Sequence, residues 1–156
     1  MPKQMVVIGD SIIRKVDRVI CQADRFNRTV CCLPGARVRH VVDRLDTLLG
    51  GAGHDPAVLV HIGTNDKMNG RWGTLRSEFR DLVSKRSSNV IFSEILPVPR
   101  ASLGRQRELR ELNAWLKSWC RKEGFGFLEH WLYKGVTKML DFRRADFASI
   151  RASLQC

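Results

Sequence analysis

The 156-residue sequence contains no apolar run of about 18 residues or more, so no membrane-spanning helix is expected. Its start, Met1-Pro2-Lys3-Gln4, leads straight into a short apolar segment with no signal-peptide pattern. The two absences together set the expectation of an intracellular protein, cytoplasmic or nuclear. Its five cysteines, Cys21, Cys31, Cys32, Cys120 and Cys156, are odd in number and hold no C-x-x-C spacing. Neither a disulfide framework nor a zinc site follows, and the thiols read as buried or idle. Internal repeats, low-complexity segments and domain linkers are missing as well; Pro97-Val98-Pro99 and Gly124-x-Gly126 punctuate a single domain. Acidic residues are few, 16 against 27 lysines and arginines, which leaves a net charge of +11 and a pI near 10.1.

Polyanions, RNA among them, are therefore plausible partners, and no membrane partner is implied. The arginines are dispersed, through Arg14, Arg18, Arg25, Arg28, Arg37, Arg39 and Arg44 and again through Arg100, Arg105, Arg107 and Arg110. Such spacing suits solvated helix faces as well as nucleic-acid contact, and no recognised RNA- or DNA-binding motif accompanies it.

Short apolar runs at Met5-Ile8, Val30-Leu33, Ala57-Ile62, Val90-Phe92 and Phe125-Leu128 alternate with segments of helical period. One helix follows Ser11 with Ile12, Ile13, Val16, Val19 and Ile20 inward. A second carries Val38, Val41, Val42, Leu45, Leu48 and Leu49 and ends at Gly50-Gly51. A third presents Leu75, Phe79, Leu82 and Val83, and a fourth Leu109, Leu112, Leu116 and Trp119. Strands apolar along their whole length fit a parallel sheet buried on both faces, and predict a three-layer α/β/α sandwich of about five strands. The domain is expected over residues 1–131; 132–156 read as a divergent basic tail, a weak helix or disordered.

Three motifs stand just after strand-like runs: Gly9-Asp10-Ser11, Pro34-Gly35 and Gly63-Thr64-Asn65-Asp66. In alternating α/β architecture, ligands sit beyond the carboxyl ends of the strands, so these residues converge there. Ser11, at a strand-to-helix junction, is either a nucleophile or the N-cap of the helix that follows. Gly35 either lends a backbone N–H to an oxyanion or completes a turn with Pro34. Asn65 either aims its amide at the same oxygen or closes an Asx turn with Asp66.

In order and spacing the three motifs resemble the SGNH (GDSL-type) hydrolase family. The wording of Val7-Ile8-Gly9-Asp10-Ser11 and His61-Ile62-Gly63-Thr64-Asn65-Asp66 is similar to esterase-like domains of vertebrate retroelement open reading frames. The resemblance covers about the first 130 residues. It implies a flavodoxin-like fold, Ser11 as nucleophile, and an oxyanion hole from the Ser11 amide, the Gly35 amide and the Asn65 side chain. Gly9, Asp10, Gly63 and Asp66 complete the motifs. The substrates implied are carboxylic esters, acetyl groups included, with no metal or organic cofactor.

Family members carry an Asp-x-x-His after the fifth strand, and this sequence has none. Phe127 stands three residues before His130, and Asp141 and Asp146 are followed at the third position by Arg144 and Ser149. From about Tyr133 the chain departs from the family, as a replaced carboxyl end does. His130 is the one candidate substitute base; His40, His54 and His61 read as structural, with His40 and His54 far from the strand ends. In a serine protease, loss of the triad histidine costs on the order of 10⁶ in kcat. From a typical ~10 s⁻¹, turnover then falls to about once a day. The sequence thus predicts a weakly active or inactive esterase-like domain, with a basic nucleic-acid-binding module on the same fold as the rival reading.

Overall fold

The computed structural model describes residues 4–10, 28–52, 56–66, 69–84, 89–98 and 100–129. The elements run β1 (Met5–Gly9), β2 (Arg28–Cys32), α1 (Val38–Leu49), β3 (Ala57–His61), α2 (Trp72–Ser84), β4 (Val90–Ser93), α3 (Leu103–Glu123) and β5 (Gly126–Leu128). All strands are parallel, in the order β2-β1-β3-β4-β5. This is the flavodoxin-like order, whose direction reverses between β1 and β3. The register sets the strand ends level there, with Gly9 beside both Cys32 and His61.

Chain direction dictates where the helices go. From β2 through β3 and β4 to β5 the chain always steps the same way across the sheet, so right-handed crossovers place α1, α2 and α3 on one face. Their buried residues, among them Val41, Leu45, Phe79, Leu82, Leu112 and Leu116, form one core with Val6, Ile8, Val58, Val60 and Phe92 of the sheet. The alternate strand residues Val7, Leu59 and Ile91 are buried too, at 1%, 2% and 4% exposure, so the sheet is covered on both faces as its unbroken apolar runs predict. The helix expected over Ile12 to Ile20 and the tail from Leu132 onward lie outside the described residues.

The second strand differs from its sequence reading. It starts at Arg28 because Arg28 and Thr29 pair with Met5 and Val6, and it ends at Cys32. Leu33 is past the strand, though its N–H still donates to the Gly9 carbonyl at 2.8 Å. An aromatic cluster absent from the periodicity argument ties α2, α3 and β4 together. Phe79 meets Phe92 edge-on at 5.7 Å, and Trp115 stacks on Trp119 at 5.2 Å with planes 10° apart. Phe125 packs against Trp119 at 5.3 Å. Such pairs each add about 0.5–1.5 kcal/mol beyond the area they bury.

Candidate active site

Two loops leave the carboxyl ends of β2 and β3 and meet. After β2 the chain turns through Pro34 and Gly35, with the Ala36 N–H donating to the Leu33 carbonyl at 3.0 Å. Gly35 takes φ +71, and a Cβ placed there meets nothing within 4 Å, so glycine serves the backbone angle and leaves the turn open. Gly35 is exposed, and its N–H donates to no protein acceptor among the described residues. After β3, Gly63 takes φ +126, where a Cβ would come within 2.6 Å of Ile95 Cδ1 and 3.2 Å of Leu112 Cδ2. Glycine is required there on both counts, and the Asp66 N–H closes the turn onto the Gly63 carbonyl at 3.2 Å.

Asn65 bridges the two loops: its Nδ2 donates to the Ala36 carbonyl at 3.1 Å. An amide nitrogen carries two hydrogens, so one bond leaves a second N–H to direct elsewhere. Neither sequence alternative for Asn65 included this bond, which binds it to the residue beside Gly35. Asp66, buried to 5% exposure, makes the next bridge. Its Oδ1 and Oδ2 accept from the Val38 N–H at 3.4 and 3.2 Å, at the first residue of α1. A carboxylate there satisfies an orphan helix donor and faces the positive end of the helix dipole. Burial nonetheless wins, pushing its pKa up from 3.8 to about 6; Glu78 raises it further, and Arg37 and Arg105 oppose the rise.

Further residues fix the β3 and β4 exits. Arg105, in the first turn of α3, donates from Nη2 to the Thr64 carbonyl at 2.6 Å and pairs through Nη1 with Glu108 at 2.9 Å. Asn113 holds Ile95 at both ends, accepting from its N–H at 2.8 Å and donating to its carbonyl at 2.9 Å. Arg105 gave no sequence signal. Asn113 gave one: a polar residue adjoining the inward positions Leu109, Leu112 and Leu116. His61, buried in β3, faces Ser93 of β4 with Nδ1 and Oγ 3.0 Å apart, the hydrogen-bonded structural role read for it.

His40 corrects the sequence reading. It is not far from the strand ends, because α1 begins only three residues after Gly35. Its Nδ1 accepts from the Arg37 N–H at 3.0 Å, and it lines a cleft of about 190 Å³ with Arg37, Asp66 and Arg71. A second cleft of about 300 Å³ runs along Leu33, Pro34, Ala36 and Asp43. Gly9 ends β1, and Asp10 beyond it is buried, its carbonyl accepting from Cys32 Sγ at 3.4 Å. Ser11 and His130 lie outside the described residues, as do His54, Cys21 and Cys156. Of the described thiols, Cys31, Cys32 and Cys120 are free, and burial pushes Cys120 up to about 12. No helix among the described residues is long and apolar enough to cross a membrane.

A parallel sheet in this order, with its glycine and asparagine loops joined at the switch point, defines an α/β domain built for a site at that edge. Solved structures share this fold. The psychrotrophic esterase EstA from Pseudoalteromonas superposes with a TM-score of 0.69 at 14% identity, over 99% of this chain and 100% of that one. A lipolytic G-D-S-L-family protein from Veillonella parvula gives 0.67 at 21% identity, over 83% and 78%. The esterase domain of the ZfL2-1 ORF1 protein from the zebrafish ZfL2-1 retrotransposon is 30% identical over 97% of this chain and 96% of that one, with a TM-score of 0.39. No protein-family model and no curated protein matches the sequence. The chain has the SGNH (GDSL-type) hydrolase fold, that of the family its three motifs resemble.

Proposed function

We propose that the domain is an ester hydrolase of the SGNH type with a serine nucleophile and an oxyanion hole, but without a complete triad in these 156 residues. One observation carries the reading: the Asn65-to-Ala36 bond of 3.1 Å holds an amide donor and the Gly35 turn together at the strand ends. Ser11 follows Gly9 and Asp10 at that same edge in sequence. In this scheme Ser11 Oγ attacks the acyl carbon of a carboxylic ester. The oxyanion accepts from the Ser11 and Gly35 N–H groups and from the second Nδ2 hydrogen of Asn65. The alcohol departs, and water then releases the acyl group. Asp66 acts as a positioning residue, since its bond to Val38 fixes the helix that follows the Gly35 turn against the Asn65 loop.

The proton acceptor is the weak part of the constellation. His130 is the candidate base, but Phe127 occupies the position three residues before it, where the family places an orienting aspartate. Turnover of about once a day follows if no base operates. The test is hydrolysis of a short-chain p-nitrophenyl ester at neutral pH by the wild-type protein, Ser11→Ala and His130→Ala. Slow release lost in Ser11→Ala and kept in His130→Ala supports the reading. Release unaffected by Ser11→Ala refutes the site, and turnover near ~10 s⁻¹ abolished by His130→Ala refutes the missing base.

A further inference from the structure

Over the three described helices the positive charge is not spread evenly. In α1, Arg39 and Arg44 are matched by Asp43 and Asp46, and in α2, Arg76 and Arg80 by Glu78 and Asp81. In α3 six cations face three carboxylates. At 3.6 residues per turn, Arg107, Arg110, Lys117 and Arg121 fall within an arc of about 80°. All four are exposed, as are Ala114 and Ser118 between them. The row covers about 21 Å of helix axis at 1.5 Å per residue. Of the four, Lys117 pairs with Glu129; Arg107, Arg110 and Arg121 make no ion pair among the described residues. Glu108 is turned aside by Arg105, and Glu111 stands on the flank of the row. Arg105 also ties the first turn of α3 to Thr64, so the row starts at the edge of the sheet that carries Asn65.

We infer that this outer face of α3 binds the phosphodiester backbone of single-stranded nucleic acid. One straight row of cations matches one strand of phosphates, whereas a duplex presents two. No exposed aromatic lies along the row for bases to stack on, so binding is through phosphates and indifferent to sequence. A lipid surface fits less well. The apolar face of α3, with Leu109, Leu112, Leu116 and Trp119, is buried in the core, and Leu103, at 80% exposure, is the one large apolar side chain left outside among the described residues. The inference goes beyond the hydrolase reading and does not depend on it.

The test is fluorescence anisotropy of a labelled oligouridine of about 20 nucleotides with the whole chain. Three neutralised phosphates give a slope near −2 in log K against log salt, an affinity loss of about 20-fold between 50 and 200 mM salt. Arg107→Gln/Arg110→Gln/Arg121→Gln should weaken binding at 50 mM salt at least about 10-fold and flatten that slope. Its circular dichroism should match wild type, since the three side chains are exposed. Arg44→Gln/Arg71→Gln/Arg80→Gln removes the same charge elsewhere and should stay within about threefold of wild type. Ser11→Ala should bind RNA as wild type does, which separates this outcome from failure of the hydrolase reading. Equal losses in the two triple variants, a salt-insensitive affinity, duplex bound as tightly as single strand, or uptake by phosphatidylserine vesicles without RNA binding would each overturn the assignment.

Discussion

Replacing Asp66 by asparagine should change how stability depends on pH, and the structure gives both sign and size. In the folded protein burial raises the carboxyl to about 6, against 3.8 in the unfolded chain. Between those values the folded state holds a proton that the unfolded state has released, so stability falls as pH rises from about 4 to about 6 and is level above. A difference of about two pKa units corresponds to about 3 kcal/mol. Asparagine keeps an oxygen to accept from the Val38 N–H but has no charge to desolvate. Its second group, an amide with no assured partner, adds a cost that does not vary with pH. Urea unfolding of both proteins at pH 4, 5, 6 and 7 isolates the effect, because the other carboxylates cancel in the difference. Asp66→Asn should gain about 2.4 kcal/mol of that on wild type between pH 4 and pH 7, since the unfolded carboxyl is already partly ionised at pH 4. A difference constant with pH, or one moving the other way, would refute the claim that burial outweighs the bonds to Val38.

Other substitutions probe the supports of the same edge. Gly63→Ala combines a disfavoured φ of +126 with a Cβ at 2.6 Å from Ile95 Cδ1, and should destabilise by about 2–4 kcal/mol in thermal unfolding. Asn113→Ala strips both backbone groups of Ile95 of their partner and should cost about 2–3 kcal/mol, while Asn113→Asp, which keeps only the acceptor, should lie between it and wild type in the same assay. Trp119→Ala removes a side chain that packs on Phe79, Phe92, Trp115 and Phe125, and should lower stability by about 3–5 kcal/mol in urea titration.

Elements whose apolar pattern is also their burial pattern were legible in the sequence. The spacing of Val38, Val41, Val42, Leu45 and Leu49 is the buried face of α1, and the run from Ala57 is buried at every position of β3. Long-range polar bonds were not, because they depend on which loops meet. Nothing local to Asp66 says that its partner is the Val38 N–H, 28 residues earlier, nor that Asn65 reaches the Ala36 carbonyl. His40 was misplaced for the same reason: a helical position in sequence says nothing of the distance from that helix's first turn to a strand end. The loop glycines were legible as to identity but not as to reason: Gly63 is held by packing against Ile95 and Leu112 as well as by its angle, and Gly35 by backbone angle.

In the proposed scheme Ser11 and Asn65 act on the carbon and the oxygen of one acyl carbonyl group, and acyl transfer to Ser11 tests this most directly. Wild type and Asn65→Ala are incubated with p-nitrophenyl acetate, and the acetyl group on the Ser11 peptide is followed by mass spectrometry. Loss of one oxyanion donor should slow acetylation of Ser11 by about 10²-fold or more while leaving nonspecific lysine acetylation unchanged. Equal rates at Ser11 in two folded proteins, or no acetylation of Ser11 at all, would contradict the account.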